Sequence, residues 1–253
     1  MKFVEQKSLT FDDVILLPQY SEILSRKDTD TSVDFLGLKL NIPFISSNMD
    51  TITESKMAVA LWKAGAIGCL HRFMSIKDNV EMFKQVLAQD SYCMVSMGVG
   101  TEEFERGAAL IRAGAKHIVI DVAHGASLPV TTQLERIKEY ASVFHQEKTY
   151  VIVGNFATVD SYKQFISNSK HTPDALKIGI GGGSNCSTRV QTGHGLGNIS
   201  TILEFQGKVT LPLIIDGGIR NSGDAVKALA AGATLMMGGN IISGTHETPG
   251  DII

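Results

Sequence analysis

Short apolar segments alternate with longer amphipathic segments along most of this chain. Eight of the apolar segments have the length and residue types of buried strands. They are Ile42 to Ser46, Ala66 to Leu70, Tyr92 to Met97, His117 to Ile120, Tyr150 to Val153, Ala175 to Ile178, Leu213 to Ile215 and Thr234 to Met237. Each of the first seven is followed by a helical pattern, for example Thr53 to Ala64, Glu102 to Ala113 and Ser222 to Ala231.

This alternation predicts parallel strands joined by right-handed helical crossovers. Eight such units predict a closed (β/α)8 TIM barrel of the α/β class, with residues 1–253 forming a single domain. Small junctions recur at Gly65, Gly114 and Gly232, where glycine supplies the left-handed cap of a short turn after a helix. The chain ends at Ile253, soon after the eighth predicted strand. We therefore expect the last helix to be lacking, which leaves apolar surface bare unless the chain has been cut or a partner or an N-terminal segment covers it.

Composition narrows the function classes. The chain has 253 residues, of which 43% are hydrophobic and 19% charged, and its formal net charge is -3. It carries no extended basic run, so we expect no nucleic-acid partner. The apolar stretches are only about five to seven residues long, far short of a membrane span. Three cysteines without metal-ligand spacing favour a reducing, cytoplasmic location over a disulfide framework or a zinc site.

Polar and glycine-rich segments follow the predicted strands, at the barrel end where active sites lie. Gly217-Gly218 and Gly238-Gly239 follow strands seven and eight, where barrels commonly hold phosphate. Glycine lets backbone N–H groups approach an anion closely, and the Ser184 hydroxyl would add a donor. Either pair alone is better explained as turn glycines, but their agreement at two adjacent loops favours a phosphate site.

Cys186 is the candidate nucleophile because it lies in a polar loop that contains four glycines, a poor place for core packing. Thr188 lies two residues further on and would reach the same substrate atom, and Glu247 is a candidate proton donor or acceptor. Cys69 and Cys93 lie in apolar strands, which favours packing roles for both.

Two strand-end carboxylates are further candidates. Asp216 is placed to accept ribose hydroxyls, and Asp121 faces the same end of the barrel; both residues also suit simple turn roles. His71 and His124 have the residue type for acid–base work, but we favour the simpler interpretation of both as hydrogen-bonded loop histidines.

Several motifs resemble those of the IMP dehydrogenase/GMP reductase family. They are Leu9-Thr10-Phe11-Asp12-Asp13-Val14-Ile15-Leu16-Leu17-Pro18, Asn48-Met49-Asp50-Thr51, Gly179-Ile180-Gly181 with Gly183-Ser184 and Cys186, Thr192-Gly193, Asp216-Gly217-Gly218-Ile219-Arg220 and Gly223-Asp224. The resemblance covers essentially the whole chain, in the family's order, and implies a catalytic barrel that acts on purine nucleoside monophosphates, GMP or IMP.

The resemblance also implies roles for individual residues. Cys186 would attack purine C2, with Thr188 and Glu247 handling the ammonia that leaves. The substrate-binding residues implied are Asn48, Met49, Ser184, Asp216, Gly217, Gly218, Gly238 and Gly239. Asp121 and Asn155 would lie near the nicotinamide and the base. A potassium site would use the carbonyls of Gly181, Gly183 and Cys186, and the assembly would be a homotetramer.

The resemblance is consistent with either direction of the family's chemistry. Most dehydrogenases of the family insert a CBS regulatory module after the second helix, and here Met82 to Leu87 runs straight on to Met94 and Val95. This favours a GMP reductase that uses NADPH to convert GMP to IMP. The alternatives are an IMP dehydrogenase that uses NAD to convert IMP to XMP, and a non-catalytic nucleotide-binding barrel.

The chain departs from the family in the loop that carries Cys186. Gly182 stands where the family usually has proline, and Asn185 replaces an apolar residue. A glycine in place of proline leaves the backbone more conformations, so we expect a more mobile loop. By the same resemblance, the family's C-terminal flap is expected to be lacking as well.

Overall fold

A computed structural model of the chain describes residues 7–144, 148–183 and 186–250. Its strands are β1 (Val33–Phe35), β2 (Leu38–Leu40), β3 (Phe44–Ser46), β4 (Gly68–Leu70), β5 (Cys93–Met97), β6 (His117–Asp121), β7 (Tyr150–Phe156), β8 (Ala175–Ile178), β9 (Leu213–Asp216) and β10 (Leu235–Gly238). Its helices are α1 (Ser55–Lys63), α2 (Ile76–Leu87), α3 (Thr101–Arg112), α4 (Leu128–Phe144), α5 (Val159–Ser167), α6 (Thr188–Thr192), α7 (Asn198–Phe205) and α8 (Ser222–Ala231).

The eight strands β3 to β10 form one parallel sheet in the order β3-β10-β9-β8-β7-β6-β5-β4. The edges of this sheet meet where Ile45 pairs in parallel with Ile67, which lies just before β4. The Ser46 N–H donates to the Ile67 carbonyl at 3.1 Å across this seam. The predicted (β/α)8 barrel is therefore confirmed, with at least one helix between successive strands.

The strands alternate between two apolar cores, because successive side chains of a strand point to opposite faces. Val119 of β6 packs inside the barrel with Met94 and Ile152 of the neighbouring strands. Ile118 and Ile120 belong instead to the larger cluster between the strands and the helices. Each such side chain is fully buried, and its burial contributes about 1.5–3 kcal/mol.

The hairpin β1–β2, which the sequence pattern did not predict, closes one end of the barrel interior. Its Phe35 and Leu40 are fully buried in the inner core. The ring of His117, at the start of β6, lies with Nε2 3.0 Å from the Leu36 carbonyl and holds the turn of the hairpin. Burial lowers the pKa of His117, so the ring is neutral and donates one hydrogen bond here.

Local details both confirm and correct the sequence predictions. The junction residues Gly65, Gly114 and Gly232 all have positive φ, as predicted for caps of short turns. The predicted end of the strand Tyr150 to Val153 was wrong, because β7 continues to Phe156 and so includes Gly154 and Asn155. The register between β7 and β8 shifts between Gly154 and Phe156, an irregularity of the kind that re-aims a side chain.

The N-terminal segment reaches the opposite end of the barrel from the hairpin. Phe11 is 3% exposed, and its carbonyl accepts a hydrogen bond from Lys227 Nζ of α8 at 2.8 Å. Asp12 forms an ion pair with Arg220 just before the same helix. After β10, residues 239–250 form turns, and no helix follows within the described chain. Within that part of the chain, every helix is too short or too polar to cross a membrane.

Candidate active site

A cavity of about 650 Å³ opens at the carboxyl ends of the barrel strands. Its wall combines the strand ends with the loops that follow β3, β4, β6, β8, β9 and β10, and residues 10–12 of the N-terminal segment complete it. The predicted site residues that line it are Asn48, Met49, Asp121, Asn155, Gly181, Gly183, Cys186, Thr188, Asp216, Gly217, Gly218, Gly238 and Gly239. The chain thus brings together residues from loops nearly 200 positions apart in sequence.

A lysine that the sequence analysis did not single out lies in the cavity wall. Lys177 of β8 is only 2% exposed, and its Nζ lies 2.8 Å from Asp121 Oδ1 and pairs with Asp216 Oδ2. Burial on its own would lower the pKa of Lys177, but the two carboxylates outweigh burial and raise it. A charged residue within the apolar run Ala175 to Ile178 was the available sequence signal for a functional position.

The carboxylate of Asp121 is ionised in this setting. Burial would raise its pKa, but the charge of Lys177 and hydrogen bonds from Lys177 and Asn48 lower the pKa below its usual value. The Asn48 amide donates to Asp121 Oδ2 at 2.7 Å. A quarter of the Asp121 side-chain surface is exposed to the cavity, so this carboxylate remains accessible to a ligand.

Two buried amide oxygens in the cavity wall have no hydrogen-bond partner among the described residues. Asn155 uses its Nδ2 to donate to Asp216 Oδ2 at 2.8 Å and to the Gly179 carbonyl at 2.7 Å, which leaves Oδ1 unpaired. Asn198 donates from Nδ2 to the Gly217 carbonyl at 2.7 Å and likewise leaves Oδ1 unpaired. A buried acceptor without a donor costs about 1–3 kcal/mol, so both amides are held in the wall at an energetic cost.

The glycine pairs lie where backbone segments approach closely. Gly217 and Gly218 have φ of +81° and +78°, and a Cβ on Gly217 would lie 2.7 Å from the Gly183 nitrogen. The Gly217 N–H donates to the Met237 carbonyl at 3.1 Å, so this amide is already used within the barrel. Gly239 follows the neighbouring strand β10, and a Cβ on it would lie 3.3 Å from the Ser47 hydroxyl. Ser184, the third part of the predicted phosphate site, lies outside the described residues, as does Asn185.

Cys186 and Thr188 lie side by side in the cavity wall. The Cys186 thiol is exposed at the cavity and donates to Thr188 Oγ1 at 3.2 Å. Cys186 N–H donates to the Gly183 carbonyl at 3.0 Å, which turns the loop back towards the first residue of α6. Cys69 and Cys93 are both fully buried, and burial raises the pKa of each thiol. Of the three thiols, Cys186 has the surroundings that reaction with a ligand requires.

Other predicted candidates lie elsewhere. Glu247 lies in the turns after β10 and does not line the cavity formed by the described residues. His71 is 2% exposed, accepts from the Phe73 N–H through Nδ1 and contacts Glu54, an arrangement that fits the structural role. His124 is exposed in the loop after β6.

The carbonyls implied for potassium lie in the loop after β8. The Gly183 carbonyl accepts the Cys186 N–H at 3.0 Å and keeps a second lone pair, and the Arg189 side chain packs against Gly181. The potassium site stays a prediction.

Comparisons with known proteins were made for the whole chain. A profile described as "IMP dehydrogenase / GMP reductase domain" matches residues 8–253. An inosine-5′-monophosphate dehydrogenase from Cryptosporidium parvum is 36% identical over 289 aligned residues, covering 97% of this chain and 70% of that protein. A GMP reductase from Bacillus licheniformis is 33% identical over 247 residues, covering 96% of this chain and 73% of that protein. The crystal structure of inosine 5′-monophosphate dehydrogenase from Legionella pneumophila matches with a TM-score of 0.86 at 40% identity, covering 98% of this chain and 73% of that chain.

Proposed function

This chain belongs to the IMP dehydrogenase/GMP reductase family, a family of oxidoreductases that act on purine nucleoside monophosphates, and we propose that it is a GMP reductase. The reaction is the NADPH-dependent conversion of GMP to IMP with release of ammonia. The observation that carries the direction is the short connection between α2 and β5, which leaves only residues 88–92 between Leu87 and Cys93. The alignment with the Bacillus reductase spans 247 residues, and the alignment with the Cryptosporidium dehydrogenase spans 289. The shorter alignment needs fewer insertions relative to this chain, which supports the same direction.

In this proposal Cys186 is the nucleophile. Its sulfur adds to purine C2, the exocyclic amino group leaves as ammonia, and a covalent sulfur–C2 bond links the purine to the protein. Thr188 is hydrogen-bonded to the thiol and is therefore placed to take part in the proton movements at C2. Glu247 is retained as a proton donor to ammonia on the family resemblance alone.

The remaining cavity residues bind and orient the nucleotide. Asp216 accepts the ribose hydroxyls, since Lys177 and Asn155 both bond its Oδ2 and leave Oδ1 for a ligand. The phosphate lies at Gly218 and Gly239 with Ser184, where backbone approaches closely and glycine permits it. Asn48 and Met49 line the cavity beside Asp121 and contact the nucleotide from the loop after β3.

The cavity wall also fits a nicotinamide dinucleotide. Asn155 lines the same wall, and the ionised, partly exposed Asp121 suits the hydroxyl donors of a second ribose. A bound dinucleotide would supply the hydride that C2 needs, and Cys186 would then leave C2 as the free thiolate. The protein's part is to hold the two rings together and to keep the thiol beside C2.

An IMP dehydrogenase is the second candidate, favoured by the 36% and 40% identities to dehydrogenases. Incubation with GMP and NADPH, and separately with IMP and NAD, distinguishes the two by the change in nicotinamide absorbance. The reductase proposal expects NADPH oxidation with one ammonia released per turnover. Reduction of NAD by IMP would instead assign the dehydrogenase, and nucleotide binding without either reaction would assign a non-catalytic barrel.

A further inference from the structure

Lys177 is a buried cation held between the two carboxylates of the cavity. Its Nζ bonds Asp121 Oδ1 at 2.8 Å from one side and Asp216 Oδ2 from the other. These three residues lie on β6, β8 and β9, so the ammonium spans a width of four strands of the barrel. A buried ammonium is destabilising unless it is paired and hydrogen-bonded, which restricts its place to a position between these two groups.

The amides of the site extend this arrangement. Asn48 donates to the second oxygen of Asp121, and Asn155 donates to the same oxygen of Asp216 that Lys177 bonds. Each carboxylate is thus held by the shared ammonium and by one amide of its own. Neither carboxylate can rotate without breaking a hydrogen bond to Lys177.

We propose that Lys177 is a positioning residue that couples the two nucleotide subsites, because a single ammonium fixes both the carboxylate for the substrate ribose and the carboxylate for the dinucleotide. The assignment of the carboxylates to those ligands rests on the proposed function, but the coupling between Asp121 and Asp216 does not. Lys177 itself contacts neither ligand in this scheme and acts through its partners.

The charges around Lys177 predict what its loss does. Asp216 faces it from the neighbouring strand β9, and Asp121 faces it from β6, two strands away on the other side. The neutral Cys69 thiol lies in the same electrostatic environment, and Arg72 acts on Asp121 from the loop after β4. Without the ammonium, two close carboxylates repel, and the pair binds a proton that the native pair does not bind. Below the pH at which that proton is released, one ribose acceptor is lost.

The first experiment needs no ligand. Carboxyl carbon NMR shifts of Asp121 and Asp216, assigned with Asn variants, are followed against pH in the native protein, Lys177→Met and Lys177→Arg. We expect one carboxyl group of Lys177→Met to have an acid dissociation constant several times smaller than in the native protein. Lys177→Arg should behave like the native protein. Identical titration curves in Lys177→Met and the native protein would overturn the proposal, whatever the protein's reaction is.

The second experiment measures GMP and NADPH affinities by calorimetry from about pH 6 to about pH 9. In Lys177→Met we expect both ligands to bind at least about tenfold more weakly at neutral pH, with affinity rising as pH rises. The native protein should show a flat profile, and Lys177→Arg should recover most of the affinity. The exposed pair of Lys208 with Glu204 provides the control variant Lys208→Met, which should bind both ligands normally.

A double variant covers the case in which Lys177→Met does not fold. Lys177→Met with Asp121→Asn restores the native net charge of the three groups and removes the repulsion. We expect GMP affinity to recover and its pH dependence to vanish, whereas NADPH binding stays weak. Recovery of both affinities, or of neither in a folded double variant, contradicts the coupling. If the native protein binds neither nucleotide, the proposed function fails, and the NMR titration still decides the role of Lys177.

Discussion

The side-chain amide of Asn198 occupies the space that a side chain at Gly182 would need. A Cβ built on Gly182 would lie 2.3 Å from Asn198 Oδ1 and 2.4 Å from Nδ2. Asn198 is itself 3% exposed and anchored to the Gly217 carbonyl, so it has little room to retreat. Glycine at position 182, where the family usually has proline, is therefore matched to a bulky neighbour across the loop. The predicted greater mobility of the loop stays a prediction.

The Gly182–Asn198 contact predicts a non-additive pair of substitutions. Gly182→Ala should destabilise the protein by about 1–3 kcal/mol through overpacking, and Gly182→Ala with Asn198→Ala should recover part of that loss. Chemical denaturation of the single and double variants measures the coupling. Gly183→Ala is the matched control, because its Cβ would meet only Cys186 Cβ at an ordinary 3.7 Å. Simple additivity of the two substitutions would show that the contact is not tight in solution.

Substitution of the exposed thiol should remove turnover without removing binding. We expect Cys186→Ala to lower kcat by at least about a thousandfold and to leave GMP affinity nearly unchanged, because binding energy cannot replace a covalent step. Steady-state kinetics with calorimetry separate the two effects. Cys69→Ala and Cys93→Ala should instead cost about 1 kcal/mol of stability and retain activity. An electrophilic purine monophosphate that modified either of these residues and spared Cys186 would refute the assignment.

Thr188 should matter for loss of ammonia more than for hydride transfer. Its hydroxyl bonds the Cys186 thiol, so Thr188→Ala should slow ammonia release by about tenfold to a hundredfold, and Thr188→Ser should retain most of the rate. Rapid-quench measurement of ammonia, with NADPH oxidation followed in parallel, resolves the steps. Glu247→Gln should slow the same step. Equal slowing of both steps in Thr188→Ala would place its hydroxyl outside the proton transfers.

The glycine loops predict that the phosphate group dominates nucleotide recognition. Guanosine should bind at least about a hundredfold more weakly than GMP, because it lacks the charged acceptor for several hydrogen bonds. Calorimetry with the two ligands measures this, and Ser184→Ala should weaken GMP without changing guanosine. Similar affinity for both ligands would move the phosphate away from Gly218 and Gly239.

The chain after Asp13 predicts self-association. This segment exposes the large apolar side chains Ile15, Leu16, Leu17, Tyr20, Ile23 and Leu24. We expect a homotetramer by light scattering at micromolar concentration, since such a patch favours burial against another subunit. Leu17→Asp with Leu24→Asp should shift the assembly to smaller species, and Val143→Asp, at an equally exposed site of α4, should not. A native monomer would contradict the prediction.

The barrel was predictable from sequence because its strands are continuous apolar runs and its helices have apolar stripes. The hairpin β1–β2 was not, since the apolar–polar–apolar alternation of each strand covers only three residues, too few to identify a strand. Lys177 was overlooked although its charge within an apolar run was a signal, because its partners Asp121 and Asp216 lie far from it in sequence. The hydrogen-bond partners of Asn155 could not be predicted either, because they depend on a local irregularity in β7 that residue propensities do not encode.

The hairpin at the far end of the barrel has a consequence for the order of events. Phe35 and Leu40 seal that end, and the interior between them and Lys177 is filled with side chains. Every molecule that reaches Cys186 must therefore enter and depart through one mouth. If two ligands are stacked in a pocket that opens at one end only, the outer ligand has to leave before the inner ligand can leave. The ligands then leave in the reverse of the order in which they bind. The hairpin that imposes this order lies at the opposite end of the barrel from the reacting atoms.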